Sequence, residues 1–394
     1  MVGRVFAGRL PIGSHSVDAG SARPARTMDW TRRGFLAAGV AGVAGVAGAA
    51  GCVSAPRPSN RKQFDAGATD ATIGFVGDVM LGRSVNDRWA DGDPAGVWGS
   101  TLERLRALDG LVLNLECCVS DRGEPWPDKT YSFRADPAFA VPALEAADAS
   151  VASLANNHVL DFREPALVDT RTHLVAAGVA NAGAGPSRDA ALAPAVVDAG
   201  GLTVATIALT DQWSPYAATA TEAGTAFARL DRSDPVTRSL VRDAIDRASV
   251  HDPDLLVASL HWGPNWETSP DPTQVAFARW LVDRGVDVVH GHSAHVLQGV
   301  EVYEGRPIVY DAGDFVDDYV HKAGVHNKRS ALFELVVSGG RLDALRVVPI
   351  EIEDAAATLA DEGAAAWVRE AMRDRSKPFG TAVERSGDWV LIPL

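Results

Sequence analysis

Cysteine is nearly absent from this chain: three residues among 394, at Cys52, Cys117 and Cys118. Two of them are neighbours, and adjacent side chains in a strand point to opposite faces, so a bond between them would be strained. A disulfide framework is excluded, and no C-x-x-C pair with zinc spacing occurs. Lysine is scarce as well, five residues in a chain with 51 Asp and Glu and a net charge of -14. Residues 1–51 carry six Arg and two Asp, which leaves -18 on the remainder. A surface that acidic repels phosphate backbones and argues against nucleic acid as a partner, while it suits divalent cations. No repeat of 20–50 residues is present, which excludes a solenoid. With 46% hydrophobic and 22% charged residues the composition is globular, not that of a mostly disordered chain.

What is there begins with an address. Residues 29–52 read DWTRRGFLAAGVAGVAGVAGAAGC. Arg32-Arg33 before Gly34-Phe35-Leu36 resembles the twin-arginine export signal, and a weakly apolar run follows. The rival reading is an uncleaved anchor, but Gly and Ala make a poor spanning helix. Ala49-Ala50-Gly51-Cys52 resembles a lipoprotein cleavage box, although Ala49 stands where Leu or Val is usual. Its cysteine would carry the lipid and hold the protein at the membrane outside the cytoplasm. Met28 lies just before the signal and is a candidate start. The expected organisation is an export segment over 1–52, a linker over 53–70, one large domain over 71–354, and a helical segment with a short tail over 355–394.

From Ala71 strand and helix patterns alternate. Strands are expected at 72–76, 110–115, 150–154, 194–198, 203–209, 254–260 and 286–290. Helices are expected at 101–108, 137–147, 164–177, 235–249 and 273–284. Hairpins follow, 298–303 with 307–311 around Glu304-Gly305, and 331–337 with 342–350 around Gly339-Gly340. Parallel βαβ units followed by antiparallel strands predict a layered α/β protein.

Polar residues gather where these strands end: Asp78, Asn114 with Glu116, Asn156-Asn157-His158, His261, and His292 with His295. In open α/β sheets ligands bind beyond the carboxyl ends of the strands. Oxygen and imidazole donors without thiolate suit Mn, Fe, Zn or Mg, as one or two ions. Asp78 alone could be a turn cap, and Asn156-Asn157 alone a turn; the conjunction at five strand ends is what points to one site. His290, inside an apolar run, is expected in the core, turned away from the neighbours of His292.

Gly77-Asp78-Val79-Met80-Leu81, Asn114-Leu115-Glu116, Phe133-Arg134-Ala135-Asp136-Pro137, Asn156-Asn157-His158 with Asp161, His261-Trp262-Gly263 and Gly291-His292-Ser293-Ala294-His295-Val296-Leu297-Gln298-Gly299 occur in that order. Over about 72–320 the chain resembles the CapA family, named for poly-γ-glutamate capsule synthesis. Such proteins are similar to calcineurin-like metallophosphoesterases, which implies a four-layer α/β/β/α sandwich and two metals joined by a carboxylate. Carried over, the resemblance implies Asp78 and His295 at the first metal, Glu116 as the bridge, and Asn157 and His261 at the second with His292 beside them. His158 would donate the proton to the leaving group and Asp161 would orient it. The chain also departs from the pattern. Met80 replaces a histidine, Leu115-Glu116 replaces Gly-Asp, Asp314 stands where Asn is usual, and Arg163 where Gly commonly follows Asp161.

Arg134 and Lys129 are the candidate anion contacts, since Arg offers a planar fork to carboxylate or phosphate. Trp262 and Trp266 are candidates to line a cleft, or to be plain packing. Two functions follow. One is a metal-dependent hydrolase of the envelope acting on a phosphoester or an anionic polymer. The other is a non-catalytic assembly or export component working beside a polymer synthetase. An anionic-polymer binding module is a weaker third, opposed by the acidic surface. The export reading is checked directly: Arg32→Lys/Arg33→Lys should trap the precursor in the cytoplasm, and Cys52→Ala should release the protein from the membrane fraction. Normal export of the double variant would refute the signal.

Overall fold

The computed structural model of the chain describes residues 70–394. The export segment over 1–52 and all but Asp70 of the linker expected over 53–70 lie outside the described residues. Among the described residues no helix is long and apolar enough to cross a membrane.

Two sheets organise the chain. In the ten-stranded sheet, Ala71–Val79, Gly110–Leu115, Val151–Ser153 and Ala180–Ala182 run parallel. Arg329–Ser338, Arg341–Glu353 and Trp389–Pro393 extend it antiparallel. In the six-stranded sheet, Leu202–Thr210, Leu255–His261, Val288–His292 and Arg306–Val309 are parallel, and Ala195–Ala199 and Val300–Tyr303 close the two edges antiparallel. The expected α/β alternation with added hairpins is what is found. Glu304-Gly305 and Gly339-Gly340 all take positive φ, as tight two-residue hairpin turns demand.

Three helices begin with the same signal, Asp136-Pro137, Asp234-Pro235 and Asp271-Pro272. Each Asp side chain accepts from the first-turn N–H groups, and each Pro sits where no donor is needed. The apolar faces sort into three cores. Ile73, Phe75, Val112 and Val151 of the larger sheet meet Val204, Val257 and Val288 of the smaller one. Leu111, Leu113 and Leu115 pack outward on Phe139, Leu144 and Leu167 of the helices Pro137–Ala146 and Arg163–Ala176. Ile207, Ala258 and Leu260 pack outward on Val241 and Phe277 of the helices Pro235–Ser249 and Pro272–Val282. Each parallel strand is therefore buried on both faces, which is why these runs are continuously apolar rather than alternating.

Two segments differ from expectation. The helix expected over 101–108 is shorter, Leu102–Arg106, and follows a 3₁₀ stretch Pro94–Thr101 that is itself kinked at Gly99, φ +45. The tail, expected to pack on the helix Glu362–Ser376, is a strand element: Glu384–Ser386 and Trp389–Pro393 form a hairpin that joins the larger sheet. Trp-Val-Leu-Ile-Pro shows no apolar-polar alternation, yet Val390 and Ile392 enter the inter-sheet core.

The site end of the larger sheet depends on a close approach. Asp78 N donates to Gly313 O at 3.0 Å, and a methyl group at Gly77 would lie 1.7 Å from that oxygen. Gly77→Ala should therefore cost about 1–3 kcal/mol, the range for overpacking a close-packed contact. Denaturant titration checks this; an unchanged midpoint would mean that the Gly313 segment yields freely.

Candidate metal centre

Parallel register brings the strand-end residues together. Asp78 is level with Asn114 and with Asp314, and His261 is level with His292. Asp78 lies on the larger sheet and the two histidines on the smaller, so the centre forms where the two sheets meet. Asp78 Oδ1 accepts from Asn114 Nδ2 at 2.7 Å and lies 3.6 Å from His261 Nδ1 and 3.4 Å from His292 Nδ1. Those two nitrogens are 3.0 Å apart.

The bonds behind the rings decide what the nitrogens present. His290 Nε2 lies 3.0 Å from Val76 O, which can only accept, so this nitrogen carries the proton and Nδ1 is an acceptor. Ser259 Oγ, 3.3 Å away, then donates to His290 Nδ1 and itself accepts from His292 Nε2 at 2.9 Å. On the other ring, His261 Nε2 donates to Asn157 Oδ1 at 2.9 Å. Both Nδ1 atoms are left with lone pairs directed at the same space beside the Asp78 carboxylate, that of His261 with Asn114 Nδ2 3.4 Å away. Burial holds His261 down at about 4, so it is neutral at pH 7. Two imidazole lone pairs 3.0 Å apart repel unless a cation or proton lies between them, so the donor set fits a divalent ion.

Asn157 Oδ1 lies 2.9 Å from His261 Nε2 and Glu116 Oε1 lies 3.9 Å from the same nitrogen, so the carried-over group of Asn157, His261 and Glu116 is brought together. One expectation is corrected here. His290 is buried as expected, but it is not turned away from His292. Residues two apart on a strand share a face, and both rings meet Ser259.

Around Asp78 Oδ2 the groups are mostly carboxylates. His295 Nδ1 lies 3.2 Å from Asp78 Oδ2 and 2.8 Å from Asp314 Oδ1. Glu116 Oε2 accepts from Tyr319 O–H at 3.0 Å, while Glu116 Oε1 is buried without a partner. Burial, then the charge of Asp78, pushes Glu116 up to about 8. Burial also works against the charge of Asp78, yet the imidazoles of His261, His292 and His295 around it hold it well below the usual carboxylate range. For His295 burial opposes the charge, and Asp314 and Glu116 overcome it, raising the imidazole well above its ordinary value. Met80 contributes nothing: it is fully buried, and its sulfur faces Gly82 N–H at 3.2 Å.

His158 and Asp161 stand beside this cluster. His158 Nδ1 is 2.6 Å from Asp161 Oδ2, and Nε2 lies 3.9 Å from Glu116 Oε1. Asp161 is held by Phe133 N–H at 2.7 Å and Tyr216 O–H at 2.8 Å. Burial lowers His158 to about 4 against the pull of Asp161. Lys129 is committed rather than free: its ammonium pairs with Asp161 and donates to Asn157 O. Arg134 is not brought to the site, since its guanidinium covers the Phe162 ring at 4.1 Å.

A cavity of about 480 Å³ opens over His158 and His295. Arg83, Lys129 and Lys322 are the cations on its wall, with Tyr131, Trp213 and Trp266 among the aromatics. Trp266 lines the cleft as expected, whereas Trp262 is core, its indole N–H donating to Tyr310 O at 2.9 Å. Sequence reasoning missed Arg83, Lys322, Ser259, Tyr319 and Asp311. Asp311 accepts from Ala294 N–H at 2.7 Å and Gly313 N–H at 2.8 Å, which ties the two site turns together. Its signal was present, because Tyr310-Asp311 follows an apolar strand as Gly77-Asp78 does. Arg163, in the place where Gly is common, takes φ +64.

Known proteins match this chain along most of its length. The profile of the bacterial capsule synthesis protein family, PGA_cap, matches residues 72–319. A "probable polyglutamine synthesis accessory protein" of Mycobacterium tuberculosis is 34% identical over 351 residues, 85% of this chain and 90% of that protein. The "PGA biosynthesis protein CapA" of Bacillus subtilis is 28% identical over 286 residues, 71% of each chain. The matched region contains every residue of the strand-end centre, and on that match the chain belongs to the bacterial capsule synthesis protein family PGA_cap.

Proposed function

We propose that this chain is a metal-dependent hydrolase of envelope-polymer synthesis, exported by its twin-arginine segment and held outside the cytoplasm through Cys52. Its substrate is an anionic linkage, a phosphoester or a polymer of the poly-γ-glutamate type. The names of its relatives support the polymer role. The helix-covered pair of sheets supports the four-layer sandwich of the metallophosphoesterases. The observation that carries the hydrolase reading is the convergence of the His261 and His292 Nδ1 atoms on Asp78, next to His158 at the cavity and the Asp161 that pairs with it.

Asp78, His261 and His292 would hold a divalent ion of the Mn, Fe, Zn or Mg class, with Glu116 and His295 alongside. When bound, such an ion polarises a substrate oxygen and acidifies water. The remaining work falls to the chain. Arg83 and Lys322 attract an anion into an otherwise acidic protein, and Trp213 and Trp266 flank its path. His158 delivers a proton from Nε2 to the leaving group. It is neutral in the free protein, so it must take up that proton when an anion arrives, and Asp161 stabilises the resulting imidazolium from Nδ1. Lys129 shares the Asp161 charge and so limits how basic His158 becomes. A second reading, a non-catalytic component that keeps the fold, is favoured by Met80, which withdraws a histidine from the centre.

His261→Ala should lose bound metal, whereas His158→Ala should keep it and lose hydrolysis by roughly 10²–10⁴-fold, the usual contribution of a general acid. Metal content per chain, measured with activity on phosphodiester and γ-glutamyl substrates, checks both. Wild-type protein that takes up no divalent ion would end the hydrolase reading, and metal without activity would favour the second. Ser259→Ala should weaken metal binding about tenfold, as loss of a bond behind a ligand commonly does. Unchanged affinity would show that His292 needs no such support.

A further inference from the structure

We propose that Arg83 is the specificity-determining residue of the cavity: its guanidinium takes a two-oxygen anion, a carboxylate or a phosphate, that the substrate carries beside the reacting linkage on the His158 side. This rests on the reading of the cavity as a hydrolytic site. It adds that one cation selects the substrate by geometry, and that the substrate is itself charged next to the bond that is cut.

Backbone strain gathers at this cavity. Arg83, Asp128, Trp213, Trp266 and His295 all line it, and they take φ of +53, +59, +55, +70 and +58. A residue with a Cβ is disfavoured there, so the surrounding structure must hold each one, and such residues cluster where ligands bind. At Arg83 the cause is visible. The chain leaves the strand Ala71–Val79 past Gly82, where a methyl group would lie 2.9 Å from the backbone N and O of Arg134. Pressed against that backbone, it turns through the left-handed region and places the Arg83 side chain on the cavity wall.

The guanidinium is anchored and left open. Its Nη2 lies 3.1 Å from Asp318 Oδ1, and Asp318 is fixed in turn by Ser84, whose N–H and O–H donate to Oδ2 at 3.1 and 2.6 Å. This contact is an ion pair without an aligned hydrogen bond, since Asp318 Oδ1 accepts none. Asp318 therefore holds the charge and leaves the planar N–H fork to a ligand with two oxygens. The Arg83 side chain is 36% exposed, and its Cζ stands 5.2 Å from the centre of the Phe133 ring and 5.9 Å from that of Tyr131.

The other cations of the wall are placed differently. The Lys129 side chain is 7% exposed and committed to Asp161 and Asn157 O. Lys322 stands 4.7 Å from the centre of the Trp266 ring, which neighbours His295 rather than His158. An ammonium also has no fork to select with. Arg83 shares Phe133 with the proton donor, because that ring stacks on His158. An anion on the fork is one ring away from His158.

The full chain, as purified and again after chelation, is titrated calorimetrically with glutarate, inorganic phosphate and neutral glutaramide, and its metal content is measured. Wild type should bind glutarate or phosphate in both states and glutaramide in neither; which anion binds separates a carboxylate source from a phosphate source. Arg83→Lys keeps the charge and loses the fork, and should weaken that anion by more than about tenfold. Arg134→Lys, at a guanidinium that covers Phe162, should bind as wild type does. If Arg83→Lys fails to fold, as judged by its circular dichroism melt, Arg83→Gly replaces it, since glycine accepts positive φ freely. Equal affinity in wild type and the Arg83 variant, equal binding of glutaramide, or a wild type that binds neither anion would overturn the proposal. Metal retained alongside any of these would leave the hydrolase reading standing. Arg83-dependent binding to a chain that takes up no metal would support the fork and end that reading.

Discussion

The carboxylate of Asp78 joins the two halves of the molecule. It stands at the end of the first strand of the larger sheet, and it reaches the histidines that end two strands of the smaller one. One of its oxygens faces His261 and His292. The other faces His295 and accepts from Ser293 N–H at 3.2 Å. Everything at the site is arranged around this group. Asn114 fixes one oxygen from the next strand, and the backbone of Asp78 is pinned to the Gly313 segment. The helices and three cores serve to hold the two sheet ends at this separation.

Burying so much charge has a consequence for the rest of the centre. Asp78, Glu116 and Asp314 are all fully buried, and ionised carboxylates out of water must be paired or neutralised. Without a metal, protons do that work. Glu116 is pushed up to about 8, and His295 is held charged between Asp314 and Asp78. Asp311, pushed up to about 8 by burial and by Asp78, belongs to the same cluster. A cation entering this space exchanges places with protons, so loading and protonation are competing states of one charge balance.

The pair of His158 and Asp161 is built by a separate logic. Asp161 receives Phe133 N–H, Tyr216 O–H, Lys129 and His158 at once, so its position does not depend on the metal residues. Phe133 also stacks on His158 with ring centroids 3.8 Å apart. The ring is thereby held in one plane with Nδ1 on Asp161 and Nε2 3.9 Å from Glu116 Oε1. Lys129 explains why a cation in an acidic protein need not be a substrate contact: it neutralises the carboxylate that orients the histidine.

Most of the fold could be read from the sequence by itself. Continuous apolar runs ending in polar residues, Asp-Pro at helix starts and glycine pairs at hairpins are local signals with local causes. They located nearly every parallel strand and the donor types Asp78, Glu116, His261, His292 and His295. Tertiary structure alone decided which atoms meet. Asn157 meets Nε2 of His261, more than a hundred positions away, while Asp78 lies nearest its Nδ1. Arg134 leaves the site because its strand turns the guanidinium onto Phe162, and Arg83 and Lys322 take that wall of the cavity. Ser259 and His290 matter only because parallel register sets them behind His292. Spacing along a chain carries residue type and strand phase, but the direction of a ring nitrogen depends on neighbours tens to hundreds of positions away.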